Sequence, residues 1–111
     1  MLSIIIPVYN EKNHLKNLLN KVIKLKGVKI QIIVVDDGSK DGSTEILKNE
    51  FVNNKRINKI IFHKKNSGKG SAIKSAKKHV KGKYVVIQDA DLEYDPRDII
   101  RIYKFIKHKK Y

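Results

Sequence analysis

The apolar residues of this chain change their period repeatedly, and each change marks an element. Leu2–Val8 is a continuous apolar run ended by Pro7 and Asn10, the pattern of a strand buried on both faces. Over Glu11–Lys26 the period lengthens: Leu15, Leu18, Leu19, Val22 and Ile23 share one face, with lysines between them, which predicts an amphipathic helix closed by Gly27. Ile30–Val35 predicts a second buried strand, stopped by Asp36-Asp37-Gly38-Ser39. A helix is predicted over Ser43–Asn53 from Ile46, Leu47 and Phe51, then a weaker strand over Ile57–Phe62. Lys69–Val80 predicts a lysine-rich helix whose Ala72 and Ala76, at i and i+4, permit close packing. Tyr84–Ile87 predicts a fourth strand, ended by Gln88-Asp89-Ala90-Asp91. Asp95-Pro96 reads as a cap followed by proline in the first turn of a last helix, marked by Ile99, Ile102, Tyr103 and Ile106 and ending in the basic stretch Lys107–Lys110.

Strand and helix therefore alternate four times. This predicts one α/β domain over residues 1–111, with a Rossmann-like parallel sheet flanked by helices on both faces. Composition narrows the class further. With 41% hydrophobic and 32% charged residues the chain is a globular protein with a real core. The absence of cysteine excludes disulfides, thiolate-held metals and thiol catalysis. No apolar run approaches the ~18 residues that cross a bilayer, and Met1-Leu2-Ser3-Ile4 is no basic leader, so a cytoplasmic protein is expected.

Charge changes the picture less than its size suggests. Twenty-five Lys+Arg against 11 Asp+Glu give a net +14, which points to anionic partners in general. Yet the only arginines are Arg56, Arg97 and Arg101, and the lysines are spread along the whole chain as on solvated helix faces. A nucleic-acid surface would gather its arginines and interleave aromatics, so nucleic acid is not the expected partner.

The acidic residues are the informative ones. In an open α/β sheet, ligands bind beyond the carboxyl ends of the strands, where strand order reverses. Asp36, Asp37, Asp89 and Asp91 all fall there. Asp89-Ala90-Asp91 leaves two readings open: turn-forming aspartates, or two carboxylates converging on Mg²⁺ or Mn²⁺. Asp36-Asp37-Gly38-Ser39 is likewise a tight turn, or a carboxylate accepting hydrogen bonds from a ribose or a base. Asp41-Gly42-Ser43-Thr44 reads as helix initiation. Asn66-Ser67-Gly68-Lys69-Gly70 is not a P-loop, because His63 stands where the first glycine belongs and Gly70 where Ser or Thr belongs. What remains there is a lysine between glycines at a helix start, able to meet an anion, or a plain loop tip. His14, His63, His79 and His108 lack metal-ligand spacing and read as surface or helix-face residues, and no Ser/His/Asp arrangement is visible.

Taken in order, Ile5-Ile6-Pro7-Val8-Tyr9-Asn10-Glu11, Val34-Val35-Asp36-Asp37-Gly38-Ser39, Asn66-Ser67-Gly68-Lys69-Gly70 and Gln88-Asp89-Ala90-Asp91 resemble the N-terminal half of family-2 glycosyltransferases of the GT-A fold. The last stretch resembles the polyprenyl-phosphate (dolichyl-phosphate) mannosyl- and glucosyltransferases. The resemblance implies that Pro7, Tyr9 and Glu11 line a base and ribose pocket, and that Asp36, Asp37 and Ser39 hold base and ribose. It further implies Lys69 near the diphosphate and Gln88 beside it. Asp89 and Asp91 would be the catalytic Asp-x-Asp, touching ribose or sugar and holding Mg²⁺ or Mn²⁺. The implied donor is a UDP- or GDP-linked sugar, and the implied acceptor a polyprenyl phosphate at the cytoplasmic face of an anionic membrane. The family's domain runs roughly twice this length, so the chain reads as its donor-binding half, with an apolar face free for self-association. A nucleotide-binding module without catalysis, and a basic protein of nucleic-acid or membrane surfaces, are the competing functions.

Overall fold

The computed structural model describes residues 1–90 and 95–109. Its elements run β1 (Leu2–Val8), α1 (Lys12–Ile23), β2 (Ile30–Asp36), α2 (Ser43–Ile46), β3 (Lys59–Phe62), α3 (Lys69–Lys77), β4 (Tyr84–Ile87) and α4 (Pro96–Lys109). The four strands form one sheet in the order β3-β2-β1-β4, every neighbouring pair parallel. The two inner strands, β1 and β2, are the continuous apolar runs, and their side chains are buried on both faces.

Alternation along the strands divides the core in two. Leu2, Ile4, Ile6 and Val8 of β1 and Ile32 and Val34 of β2 meet Leu15, Leu18, Leu19 and Val22 of α1, with Leu47, Phe51, Ile100 and Tyr103. Ile5, Ile33 and Val35 point the other way, onto Ala72 and Ala76 of α3. The two alanines let that helix lie close over β1 and β2. Coverage of both faces, expected for the whole sheet, stops there: Val85 and Ile87 of β4 are exposed, while Tyr84 and Val86 pack on the first core.

Four elements differ from the periodicity by more than a residue, each for a local reason. α1 ends at Ile23 rather than Lys26, where the Leu25 N–H turns back onto the Val22 carbonyl at 3.2 Å. The helix expected over Ser43–Asn53 is α for one turn and then widens over Leu47–Phe51, where the Val52 N–H reaches back five residues to the Leu47 carbonyl at 3.0 Å. β3 starts at Lys59 rather than Ile57 because the Ile32 N–H goes to the Asn58 side-chain Oδ1 at 2.8 Å instead of to a main-chain carbonyl, while the Asn58 N–H donates to the Ile32 carbonyl at 3.0 Å. α3 ends at Lys77, short of Val80, where the His79 N–H turns back onto the Ala76 carbonyl.

β1 runs to β2 on one side and β4 returns on the other, so strand order reverses between β1 and β4. Their ladder ends early, at Ile5↔Ile87, with the Gln88 N–H on the Ile5 carbonyl at 2.9 Å. Pro7, which has no N–H to offer, lies past that point. The sheet is therefore open at the carboxyl ends of β1 and β4.

Candidate functional site

A cavity of about 460 Å³ occupies that opening, lined by segments from all four loops beyond the strands or helix starts. Pro7 lies at the end of β1, Tyr9 and Glu11 follow it, Asp37 follows β2, Gly68 and Lys69 begin α3, and Asp89 follows β4. The volume falls in the range of small-ligand and cofactor sites.

Loop geometry explains why these side chains converge. Asn10 takes a left-handed conformation at φ 52°, and it ties the first two loops together: its N–H donates to Ser39 Oγ at 3.0 Å and its Oδ1 accepts the Lys40 N–H at 2.8 Å. Asp41 caps two helices, accepting from the Lys12 N–H of α1 and the Ser43 N–H of α2, both at 3.0 Å. Burial pushes the Asp41 carboxyl up, but the bonds from Ser43 and Lys12 outweigh it and hold the group below its ordinary range.

The two adjacent aspartates diverge. Asp36 is buried away from the cavity lining, accepting from the Ser39 N–H at 3.1 Å and from the Thr44 hydroxyl. Asp37 lines the cavity with its side chain only 4% exposed. Its Oδ1 accepts the Ser67 N–H at 2.9 Å and faces His63 Nδ1 at 2.8 Å, while Oδ2 accepts the Gly68 N–H at 2.8 Å. Burial alone would raise this carboxyl; the bonds from His63, Ser67 and Gly68 outweigh it and lower it.

At the other wall Lys69 Nζ meets Asp89 Oδ1 at 2.6 Å, both side chains exposed. Gln88 is buried, its Nε2 donating to the Asp89 carbonyl at 3.2 Å. Asp91, the second carboxylate of the pair, lies outside the described residues. Ser39 and Gln88, like Asp36, stand behind the lining rather than in it. Among the described residues no three His, Cys, Asp or Glu groups gather as a metal set. The donor chemistry nevertheless suits a hard cation: in a chain of net +14, the lining carries Glu11, Asp37 and Asp89 against Lys69. Asp37 is engaged by three N–H groups, whereas the Asp89 carboxylate is exposed and its Lys69 partner is one that a cation could replace.

Sequence reasoning missed His63. Its spacing suggests a surface or helix-face residue, yet its side chain is 15% exposed and bridges Asp37 to Ser75, whose Oγ lies 2.7 Å from Nε2. A Ser/His/Asp arrangement is therefore present after all. Its partners come from the loop after β2 and from α3, so no local spacing announces it. The available signal was position, since His63 is the first residue beyond β3.

An open parallel sheet with a carboxylate-lined cavity at its switch point defines an α/β domain that takes its ligand across the strand ends. The chain belongs to glycosyl transferase family 2, whose match covers residues 3–111. It is 38% identical over 104 residues to an undecaprenyl-phosphate 4-deoxy-4-formamido-L-arabinose transferase of Edwardsiella ictaluri, covering 90% of this chain and 32% of the relative. It is 36% identical over 107 residues to a dolichol-phosphate mannosyltransferase of Pyrococcus furiosus, covering 96% and 30%. Among solved structures, S. aureus TarS 1-349 in complex with UDP-GlcNAc matches with a TM-score of 0.79 at 26% identity, over 96% of this chain and 31% of that one. The mannosyltransferase PcManGT of Pyrobaculum calidifontis, in complex with GDP-Man and Mn²⁺, matches with a TM-score of 0.76 at 25% identity, over 89% and 30%. The chain thus spans about a third of the length of the curated relatives it matches. The resemblance drawn from the four loops, and the α/β sheet it implied, hold.

Proposed function

We propose that the cavity between β1 and β4 binds a nucleoside diphosphate sugar, as the donor half-site of a transferase acting on a polyprenyl phosphate. The observation that carries this reading is the convergence of Tyr9, Asp37, Lys69 and Asp89, from four separate loops, on one cavity at the switch point. Tyr9 and Pro7 offer an apolar wall for a base, Glu11 an acceptor for ribose hydroxyls, and Asp37 an acceptor for a base N–H. Asp36 and Ser39 act by holding the Asp37 loop, and Gln88 by holding Asp89. Lys69 meets the diphosphate as a point charge at the start of α3. Mg²⁺ or Mn²⁺ held by Asp89 and Asp91 would supply neutralisation of the negative charge that develops on the leaving diphosphate. A phosphate acceptor is already anionic and needs little help from a general base. The transfer itself is proposed for the whole protein, donor binding for these residues.

Calorimetric titration with UDP and GDP, with and without Mn²⁺, tests the reading. Metal-dependent binding of one nucleotide, lost in Asp89→Ala and in Asp91→Ala, is expected. A folded chain that binds neither nucleotide would overturn it. Transfer is then assayed with the nucleotide sugar and a polyprenyl phosphate; binding without transfer would assign these residues the module role alone.

Contact with an anionic membrane surface has its own support. Lys21 of α1, Lys24 and Lys26 just beyond it, and Arg97 and Arg101 of α4 surround a second cavity, about 590 Å³, floored by Leu25 and Ile100; Asp95, paired with Arg97, also lines it, so among the described residues the lysines carry the unpaired charge. Co-sedimentation with anionic but not neutral vesicles, reduced by Lys21→Glu with Lys24→Glu, is the expected result; equal binding to both vesicles would refute it.

A further inference from the structure

We infer that His63 is a positioning residue of the nucleotide site, fixing the Asp37 carboxylate that in turn fixes the start of α3. Its role in ligand affinity rests on the donor-site reading above; its role in holding the loop does not.

The argument begins with the hydrogen-bond inventory of Asp37. An ionised carboxylate accepts only, with about four acceptor positions on its two oxygens. Ser67, Gly68 and His63 fill three of them, which leaves one on Oδ2 for a donor in the cavity that Asp37 lines. Because Asp37 can only accept, the proton shared with His63 belongs to Nδ1. Nε2 in turn lies 2.7 Å from the Ser75 hydroxyl, a hydrogen bond whichever of the two supplies the proton. Ser75 sits in the second turn of α3, so the ring is held from the helix whose approach, Ser67 and Gly68, Asp37 holds. The three residues close a loop of contacts from β2 through the end of β3 to α3 and back to Gly68 and Lys69. The Lys69 ammonium and the Asp37 carboxylate, which face the same cavity, are thereby kept in register.

The same trio in another setting would suggest acyl transfer, and the backbone argues against that here. Ser75 lies within Lys69–Lys77, where the main-chain N–H groups are committed to the helix. The trio orients; it does not attack.

Three substitutions separate the contacts. In His63→Asn the amide nitrogen takes the place of Nδ1 and can still donate to Asp37. In His63→Gln it takes the place of Nε2 and reaches Ser75 alone. His63→Leu removes both. The first measurement uses the unaltered protein: ring ¹⁵N shifts of His63 are expected to show a proton on Nδ1, and a ring protonated on Nε2 alone would overturn the inference. The second is amide exchange at Ser67 and Gly68, expected to accelerate roughly tenfold or more in His63→Leu and His63→Gln and to be restored in His63→Asn. Unchanged exchange in the leucine variant would equally overturn it. The third is the affinity for UDP and GDP, expected to fall roughly tenfold in the leucine and glutamine variants and little in the asparagine variant. If the wild type binds a nucleotide and the leucine variant binds it as well, the inference fails and the donor-site reading stands. If the wild type binds neither, the donor-site reading fails, and the ring shifts and amide exchange still decide the part played by His63.

Discussion

Asp37 carries two demands that pull in opposite directions. Its side chain is nearly closed to water, which penalises the charge, and it must stay charged to accept from Ser67, Gly68 and His63 at once. The bonds win, so its folded pKa lies below the ordinary carboxylate value of about 4. A carboxyl lowered on folding contributes stability that is complete above the unfolded pKa and is lost as pH falls through the folded one. Asp37→Asn is therefore expected to be less stable than wild type near neutrality, by roughly 1.5–3 kcal/mol for hydrogen bonds made to a charge. The gap should narrow below about pH 4, where the wild-type carboxylate also takes a proton. Urea unfolding of both proteins at neutral and acid pH checks this. A gap independent of pH would mean that shape and not charge holds the loop.

At the scale of elements, the loops beyond the strands are braced against each other more than against the sheet. Gly38 shows how tightly: at φ +71°, an added Cβ would sit 2.5 Å from the Lys65 carbonyl carbon and 2.6 Å from the Asn66 nitrogen. Both are backbone atoms and cannot swing aside. Gly38→Ala should then push the 65–66 segment away from Asp37, costing more than about 1 kcal/mol and releasing Ser67 and Gly68 from the carboxylate. Thermal unfolding with amide exchange at those two residues is the check, and a variant as stable as wild type with both amides still protected would refute the argument. Asp41→Ala should cost about 1–4 kcal/mol, since one side chain caps both α1 and α2 and each cap is worth about 0.5–2 kcal/mol. A loss within about 0.5 kcal/mol in urea unfolding would show that water replaces both bonds.

What the sequence disclosed follows from the range of the interactions. β1 and β2 are inner strands, buried on both faces, so their apolar runs are unbroken and their limits legible to within a residue. Tyr84–Ile87 and the cap at Asp95 were equally plain, the latter because the Arg97 N–H on Asp95 Oδ1 is a contact across two residues. The widened turn at Leu47–Phe51 carries neither Pro nor Gly, and its apolar spacing suits an ordinary helix. The split between Asp36 and Asp37 was hidden for a different reason. Side chains alternate along a strand, but which of two neighbours faces the cavity depends on Thr44 and Ser67, residues far off in sequence. His63 was invisible on the same grounds.

At the scale of the whole molecule, two terms oppose each other. A net charge of +14 on 111 residues drives copies of the chain apart. Against it stand Val85 and Ile87, exposed on one face of β4, and Ile102, exposed on α4. Among the described residues β4 pairs with β1 alone, so its outer edge offers unpaired N–H and C=O groups beside that apolar surface. Charge repulsion acts over a Debye length of about 30 Å in 0.01 M salt and about 3 Å in 1 M, whereas strand pairing and apolar contact act only at touching distance. Added salt therefore removes the repulsive term first. Sedimentation velocity should show a monomer at low ionic strength and association as salt is raised. Val85→Lys with Ile87→Lys should keep the chain monomeric throughout, because it restores charge at the point of contact. Association that is strongest at low salt, or that survives the double substitution, would place the contact elsewhere. Its cause would then be attraction between unlike charges, for which Lys21–Lys26 and the acidic cavity are the two available surfaces.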